Sequence, residues 1–232
     1  MHALQLDVQD GAAVRYLDAW LEGVAAEGPR APCVDALAAW DRQATVDQVA
    51  PTIWGRFQEE LLRELLSDRL TDEQLAMYLT VSTASRSVLE GPVDRYLTDR
   101  VAQVGAALDR TCTALVQEHG SLEAARWGAV HQLRLQHPFG AANKLLKGWN
   151  MPVVPYPGSG STVAAAGYKW TSDPWDATYI ASLRLVVPMD DVGAATFVHP
   201  GGQSGQPRSP YYRSHWAAYV QERTLPLWFD DD

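Results

Sequence analysis

Apolar positions in the first half of the chain recur at three- and four-residue spacing, the mark of helices that bury one face. Ala13, Val14, Leu17, Trp20, Leu21 and Val24 form the first such face, and Gly28, Pro29 and Pro32 are expected to stop it. A shorter helix follows, with Val34, Leu37 and Trp40 on one side. Thr45 with Gln48 reads as a capping box, in which two side chains satisfy each other's exposed backbone N–H groups. It would open a longer helix whose Ile53, Phe57, Leu61 and Leu65 repeat every four residues. Pro51 lacks an N–H and is tolerated only in a first turn, so that start is expected to slip by several residues. A second capping box, Thr71 with Gln74, opens a helix carrying Leu75 and Leu79. After a break at Glu90-Gly91-Pro92, residues Leu97, Val101, Val104, Leu108, Cys112 and Leu115 make the most regular face in the chain, ended by Gly120. Ser121, Glu123 and Ala124 suggest one more helical stretch through Trp127.

The pattern changes near His137-Pro138, beyond which Gly and Pro punctuate short segments. The stretch from Thr178 to Val187 is rich in strand formers, Ala195 to Val198 is a second strand candidate, and Pro188 to Gly193 suits a hairpin connection. Helices first and strands later predict an α+β arrangement. The expected organisation is a helical part over 1–136 and a strand-rich part with a final helix over 137–232, together one incomplete domain. With so few strands, the sheet they join is expected to be completed by another chain.

Composition narrows the field of functions. The 232 residues are 47% hydrophobic and 20% charged, the balance of an ordinary globular protein, and the net charge of −9 comes with no Lys/Arg cluster. Nucleic acid and anionic membrane surfaces are therefore not expected as partners. No run approaches the 18 apolar residues of a membrane span, and Met1 to Asp10 lacks the basic and apolar regions of a signal peptide. Cys33 and Cys112 cannot build a disulfide framework or a four-cysteine zinc site; two buried thiols are expected, with one bridge between them as the alternative.

Several generic motifs nearly match known chemistry. Gly202-Gln203-Ser204-Gly205-Gln206 resembles a nucleophile elbow, but Gln206 takes the place of the closing glycine. Only His215 follows as a base, with no acid between, so Ser204 is expected to be a turn serine. Gly158-Ser159-Gly160-Ser161-Thr162 lacks the Gly-Lys-Ser/Thr ending of a phosphate loop and reads as a flexible surface connection. The histidines His2, His119, His131, His137, His199 and His215 offer no three-ligand set and are expected to be structural. Asp190-Asp191 and Asp230-Asp231-Asp232 read as solvated loop and tail.

The strongest signal is Pro200-Gly201-Gly202-Gln203-Ser204-Gly205, followed by Ser209-Pro210-Tyr211-Tyr212, Trp216 and Leu227-Trp228-Phe229. This resembles the closing segment of the large subunit of penicillin acylases. Met1 to Asp7, Trp40-Asp41, Trp127-Gly128 with His131 and His137-Pro138, and the stretches Pro157-Gly158, Ser161-Thr162-Val163 and Ala165-Ala166-Gly167-Tyr168 resemble further family blocks in the same order. Tyr211 stands where the family usually has His, and Ser214 and His215 stand where Asp and Gln are usual.

The resemblance implies a part of an αββα N-terminal-nucleophile hydrolase that cleaves linear amides such as penicillins or acyl-homoserine lactones. In such enzymes a precursor cuts itself to expose a serine whose own α-amine, titrating at about 7.7–8.0, serves as the base. An oxyanion hole of backbone N–H groups and an Asn stabilises the tetrahedral intermediate. The family's nucleophile, Asn and neighbouring Arg all precede the segment that Met1 matches, so no catalytic residue is assigned here. No cofactor or metal ligand is identifiable, although a structural calcium occurs in complete family members. The implied partners are an upstream acylase portion or small (alpha) subunit and an amide substrate. Members are often periplasmic or exported, which leaves the compartment of this chain open.

Three functions are thereby set against one another. The first is the C-terminal fragment of a hydrolase, inactive alone and prone to aggregate through an exposed apolar face and an unpaired sheet edge. The second is a stand-alone, non-catalytic scaffold or binding module. The third is an unrelated enzyme using Ser204 or the histidines.

Overall fold

The computed structural model describes residues 1–80, 96–170 and 175–227. The break at Glu90-Gly91-Pro92, the Trp228-Phe229 pair and the Asp230-Asp231-Asp232 tail lie outside them. The architecture is α+β, with helices followed by small antiparallel sheets.

The helices are α1 (His2–Gln5), α2 (Gly11–Leu21), α3 (Ala31–Ala38), α4 (Ala50–Leu66), α5 (Asp72–Thr80), α6 (Arg100–His119), α7 (Trp127–Val130), α8 (Pro138–Ala142) and α9 (Trp216–Val220). Helix α2 buries Ala13, Leu17 and Trp20, whereas Val14 is exposed; the helix ends at Leu21, well before the expected stop. Pro32 lies in the first turn of α3 instead, where its missing N–H costs nothing. Helix α4 starts at Ala50 with Pro51 in its first turn, and no side chain caps it. The Thr45–Gln48 box therefore does not form, while Thr71–Gln74 does: Thr71 N–H donates to Gln74 at 3.0 Å and Gln74 N–H to Thr71 at 3.3 Å. The stretch after Gly120 is a turn, not a helix, in which Ser121 Oγ accepts from Ala124 N–H.

Helix α6 lies against α4, and together with α2 and α3 they enclose the main core around Leu17, Leu37, Ile53, Phe57, Leu62 and Leu108. Charges lace the outside of the pair. Arg110 bridges Glu60 and Glu64, Arg56 bridges Glu59 and Glu118, and Arg30 of a 3₁₀ turn reaches Asp109 at 2.9 Å. The cysteines are not two buried thiols: Cys33 of α3 and Cys112 of α6 are joined, their Cα atoms 6.0 Å apart. Helical periodicity put both on the core faces of their own helices, but the crossing that brings them together is tertiary.

The strands are β1 (Gln132–Leu133), β2 (Val154–Pro155), β3 (Ala166–Gly167), β4 (Tyr179–Ile180), β5 (Arg184–Val186), β6 (Thr196–Val198) and β7 (Leu225–Pro226). Strands β1 and β2 pair, β3 and β4 pair, and β5, β6 and β7 form a three-stranded antiparallel sheet in that order. The expected hairpin is present, with Leu185 opposite Phe197. The strand predicted from Thr178 to Val187 is two strands in two sheets.

A second core lies beneath them, around Leu133, Met151, Tyr156, Val198, Trp216 and Tyr219. Its polar centre is Arg184, 4% exposed, whose guanidinium lies 4.4 Å from the Tyr219 ring centroid. Arg184 donates to Tyr219 O and to Tyr156 Oη, both at 3.1 Å. Tyr219 Oη donates to Ala181 O at 2.7 Å, so the 3.0 Å contact between the hydroxyls takes its proton from Tyr156. Burial, and then the neighbouring Tyr156, push the Tyr219 hydroxyl well above the ordinary phenol range.

Trp127, in the helical core, packs on residues from the strand-rich half. Its indole stacks on His131 at 4.4 Å, meets Tyr168 and Trp175 edge-on, and donates to Gly158 O at 2.9 Å. Gly128 beside it lets the chain press against Val46 and Pro155, where a Cβ would come within 2.9 Å of both side chains.

Candidate functional site

Helix α8 begins at Pro138, with His137 as its cap: Phe139 N–H donates to His137 Nδ1 at 3.2 Å. That bond fixes the neutral ring with its proton on Nε2, because a nitrogen that accepts cannot also carry the hydrogen. Trp149, Phe139 and Tyr212 surround the imidazole at centroid distances of 5.1, 5.6 and 6.3 Å.

The Pro200–Gly205 turn follows β6 and lies across from this ring. Gly201 O accepts from His215 N–H at 3.0 Å, which ties the end of the strand to the start of α9. Gly202 fits only without a side chain, since a Cβ there would collide with Tyr211 O and with the Tyr212 and Ser214 backbone. Ser204 Oγ accepts from Gln206 N–H at 3.1 Å, the turn role expected of it. Between turn and ring is an open cavity of about 320 Å³, floored by Leu135 and Met151 and walled by His137, Ser204 and Tyr212. Two sequence blocks more than sixty residues apart thus meet around one space, which neither block reveals alone.

The elbow reading fails on geometry. His215, 3% exposed, faces the rings of His199 and Phe197 at 4.3 and 4.9 Å, and among the described residues no bond joins it to Ser204. Burial, and then the His199 ring, hold its pKa below the ordinary histidine range.

The Gly158–Thr162 loop is not a flexible surface connection. Ser159 Oγ donates to Asp10 Oδ2 at 2.6 Å, and Asp10 Oδ1 caps α2 through Ala13 N–H; both residues are buried. Gly158 N–H donates to Ala44 O and Gly11 N–H to Ser161 O, so the loop is stitched to the start of the chain. Local pattern carries no sign of this, because Ser159 and Asp10 are 149 residues apart in sequence.

His131 is fully buried, with Nδ1 2.7 Å from Tyr156 O and Nε2 3.1 Å from Ala166 O. Burial pushes its pKa down to about 4, although both carbonyls favour the charged ring. A structural histidine is what the sequence predicts here. Among the described residues no group of three His, Cys, Asp or Glu side chains is placed to hold a metal, and no helix is long and apolar enough to cross a membrane.

Comparison with known proteins agrees with these blocks. The family model for penicillin amidase matches residues 1–232. The acyl-homoserine lactone acylase QuiP of Pseudomonas aeruginosa is 28% identical over 226 residues, covering 84% of this chain and 26% of that protein. The enzyme of the same name from Pseudomonas syringae pv. syringae is 24% identical over 194 residues, covering 76% of this chain and 23% of its own length. The chain thus spans about a quarter of the curated relatives it matches. It belongs to the penicillin amidase family, a family of acylase-type hydrolases.

Proposed function

We propose that this chain is the C-terminal scaffold of a linear-amide hydrolase with the αββα N-terminal-nucleophile fold, and that the nucleophile comes from polypeptide other than the residues described here. The supporting observation is the state of the serines in the two glycine-rich turns. Ser204 Oγ accepts from Gln206 N–H, Ser159 Oγ donates to Asp10, and among the described residues neither is bonded to a histidine. A serine attacks an acyl carbon only when a base takes its proton; among the described residues Ser204 has no such base, and the Asp10 beside Ser159 is a buried helix cap. The relatives are named for acyl-homoserine lactones, so N-acyl-homoserine lactones are the first substrates to try, with penicillins next.

The partner in this reading is an upstream acylase portion, separate or fused. Co-expression of the chain with the upstream three-quarters of a QuiP-type relative tests it. Hydrolysis of N-octanoyl-homoserine lactone should appear in the pair and be absent from either half. A pair that copurifies yet stays inactive, its upstream serine exposed, would refute the proposal. A second reading, a non-catalytic scaffold, draws on the Cys33–Cys112 bridge, which closes the helical core without outside help. It gains if the chain melts cooperatively alone and never pairs.

A further inference from the structure

The cavity between His137 and the Pro200–Gly205 turn is lined by uncharged side chains and apolar surface. His137 Nδ1 is used by Phe139 N–H, so the neutral ring has only its Nε2–H left, and among the described residues nothing accepts it. Ser204 Oγ already accepts from Gln206 N–H, which leaves its hydroxyl hydrogen unspent. Tyr212 has committed its own hydrogen to Trp149 O at 2.6 Å. The His137 and Ser204 donors border the space together with the Gln136 amide, which carries both donors and an acceptor. No Asp, Glu, Lys or Arg lines it, and Leu135, Met151, Pro138 and Pro200 supply apolar surface beside the donors.

Both donors are held in place before any ligand arrives. The imidazole is fixed by its cap bond and by three aromatic neighbours. The turn is clamped on its far side, where Gly202 touches the Tyr211–Ser214 backbone, and by the bond from His215 N–H to Gly201 O. Preorganised donors lose little conformational freedom on binding.

We propose that this cavity binds an uncharged carbonyl compound with an apolar tail, His137 Nε2–H and Ser204 Oγ–H donating to its oxygen while the tail lies on Leu135 and Met151. An anion would leave water for a lining with no opposite charge, a net cost that a neutral carbonyl avoids. A ligand of this class is an N-acyl lactone; its free carboxylate counterpart is disfavoured. The choice of a lactone rests on the acylase reading above, whereas the donor geometry does not.

The test uses the full 232-residue chain, labelled with ¹⁵N on histidine, titrated separately with N-octanoyl-homoserine lactone and with octanoate. The lactone should shift the His137 Nε2 resonance saturably, with octanoate at least about tenfold weaker. Ser204→Ala, and His137→Asp, which keeps a capping acceptor but removes the donor, should each weaken lactone binding about five- to tenfold, the loss of one hydrogen bond. Both variants should melt with the parent, which separates a lost donor from a lost fold. Octanoate binding as well as the lactone, no shift with either ligand up to about 5 mM, or affinity unchanged in both variants would overturn the assignment. The titration needs no hydrolysis, so its failure is distinct from failure of the reconstituted enzyme.

Discussion

The helical half and the strand-rich half are held together by different means. In the first, long amphipathic helices bury whole faces against one another, a disulfide closes the core, and arginines bridge neighbouring helices at the rim. In the second, no described strand exceeds three residues, and Leu183, Leu185 and Met189 stand exposed on and beside the β5–β6 hairpin, Met189 at 88%. Its own core, around Leu133, Tyr156, Val198 and Tyr219, is smaller, and individual polar anchors add to it: Arg184 on two tyrosines, Tyr212 on Trp149 O, Arg213 on Gly148 O and Asn150 O. A smaller core with apolar side chains left outside it fits a body that packs against something more.

The contrast breaks first at Trp127, where the helical half packs on Tyr168 and Trp175 from the strand-rich half. Trp127→Ala should cost about 4–5 kcal/mol, as large core truncations do, and split a single thermal transition into two. Next comes the disulfide, whose cysteines are 79 residues apart. Cys33→Ala with Cys112→Ala should lower stability by about 3–4 kcal/mol in denaturant melts, by freeing the unfolded chain. Hydrogen exchange should quicken in α4 and α6 and change little in β5 and β6.

The third effect is a pH dependence at the seam between the regions. The folded pKa of His131 lies at about 4, below the ordinary value of 6.5, so the unfolded chain takes the proton first. The stability it contributes is complete above pH 6.5, falls as pH drops from there to about 4, and is then gone. The linked loss is about 3 kcal/mol, with the help that the two carbonyls give the charged ring already contained in the folded value. Chemical melts between pH 7 and 4 should show the decline, and His131→Asn should flatten it. The smallest effect is Gly202→Ala, about 2 kcal/mol from the collision with Tyr211 O, with the change in exchange confined to the turn and α9.

These regions also differ in how far the sequence describes them. Helix faces are local, so Leu17, Phe57, Leu108 and the Thr71–Gln74 cap were legible from spacing. Thr45–Gln48 had the right letters but lost to Pro51, which fixed the first turn further on. The bridge between Cys33 and Cys112 depends on how two helices cross, and the Asp10–Ser159 bond on a contact across 149 positions; neither leaves a local trace. The cavity was half legible. The Pro200–Gly205 block signalled a constrained turn, but only the folded chain brings His137 opposite Ser204.

The central claim is that acyl-transfer chemistry does not reside in the described residues, and the lone polypeptide tests it most directly. The purified chain, with mass spectrometry showing no companion subunit, would be incubated with N-octanoyl-homoserine lactone while ring-closed homoserine lactone release is followed. The expected release equals that of buffer. Release that scales with chain concentration and vanishes on heat denaturation would contradict the account.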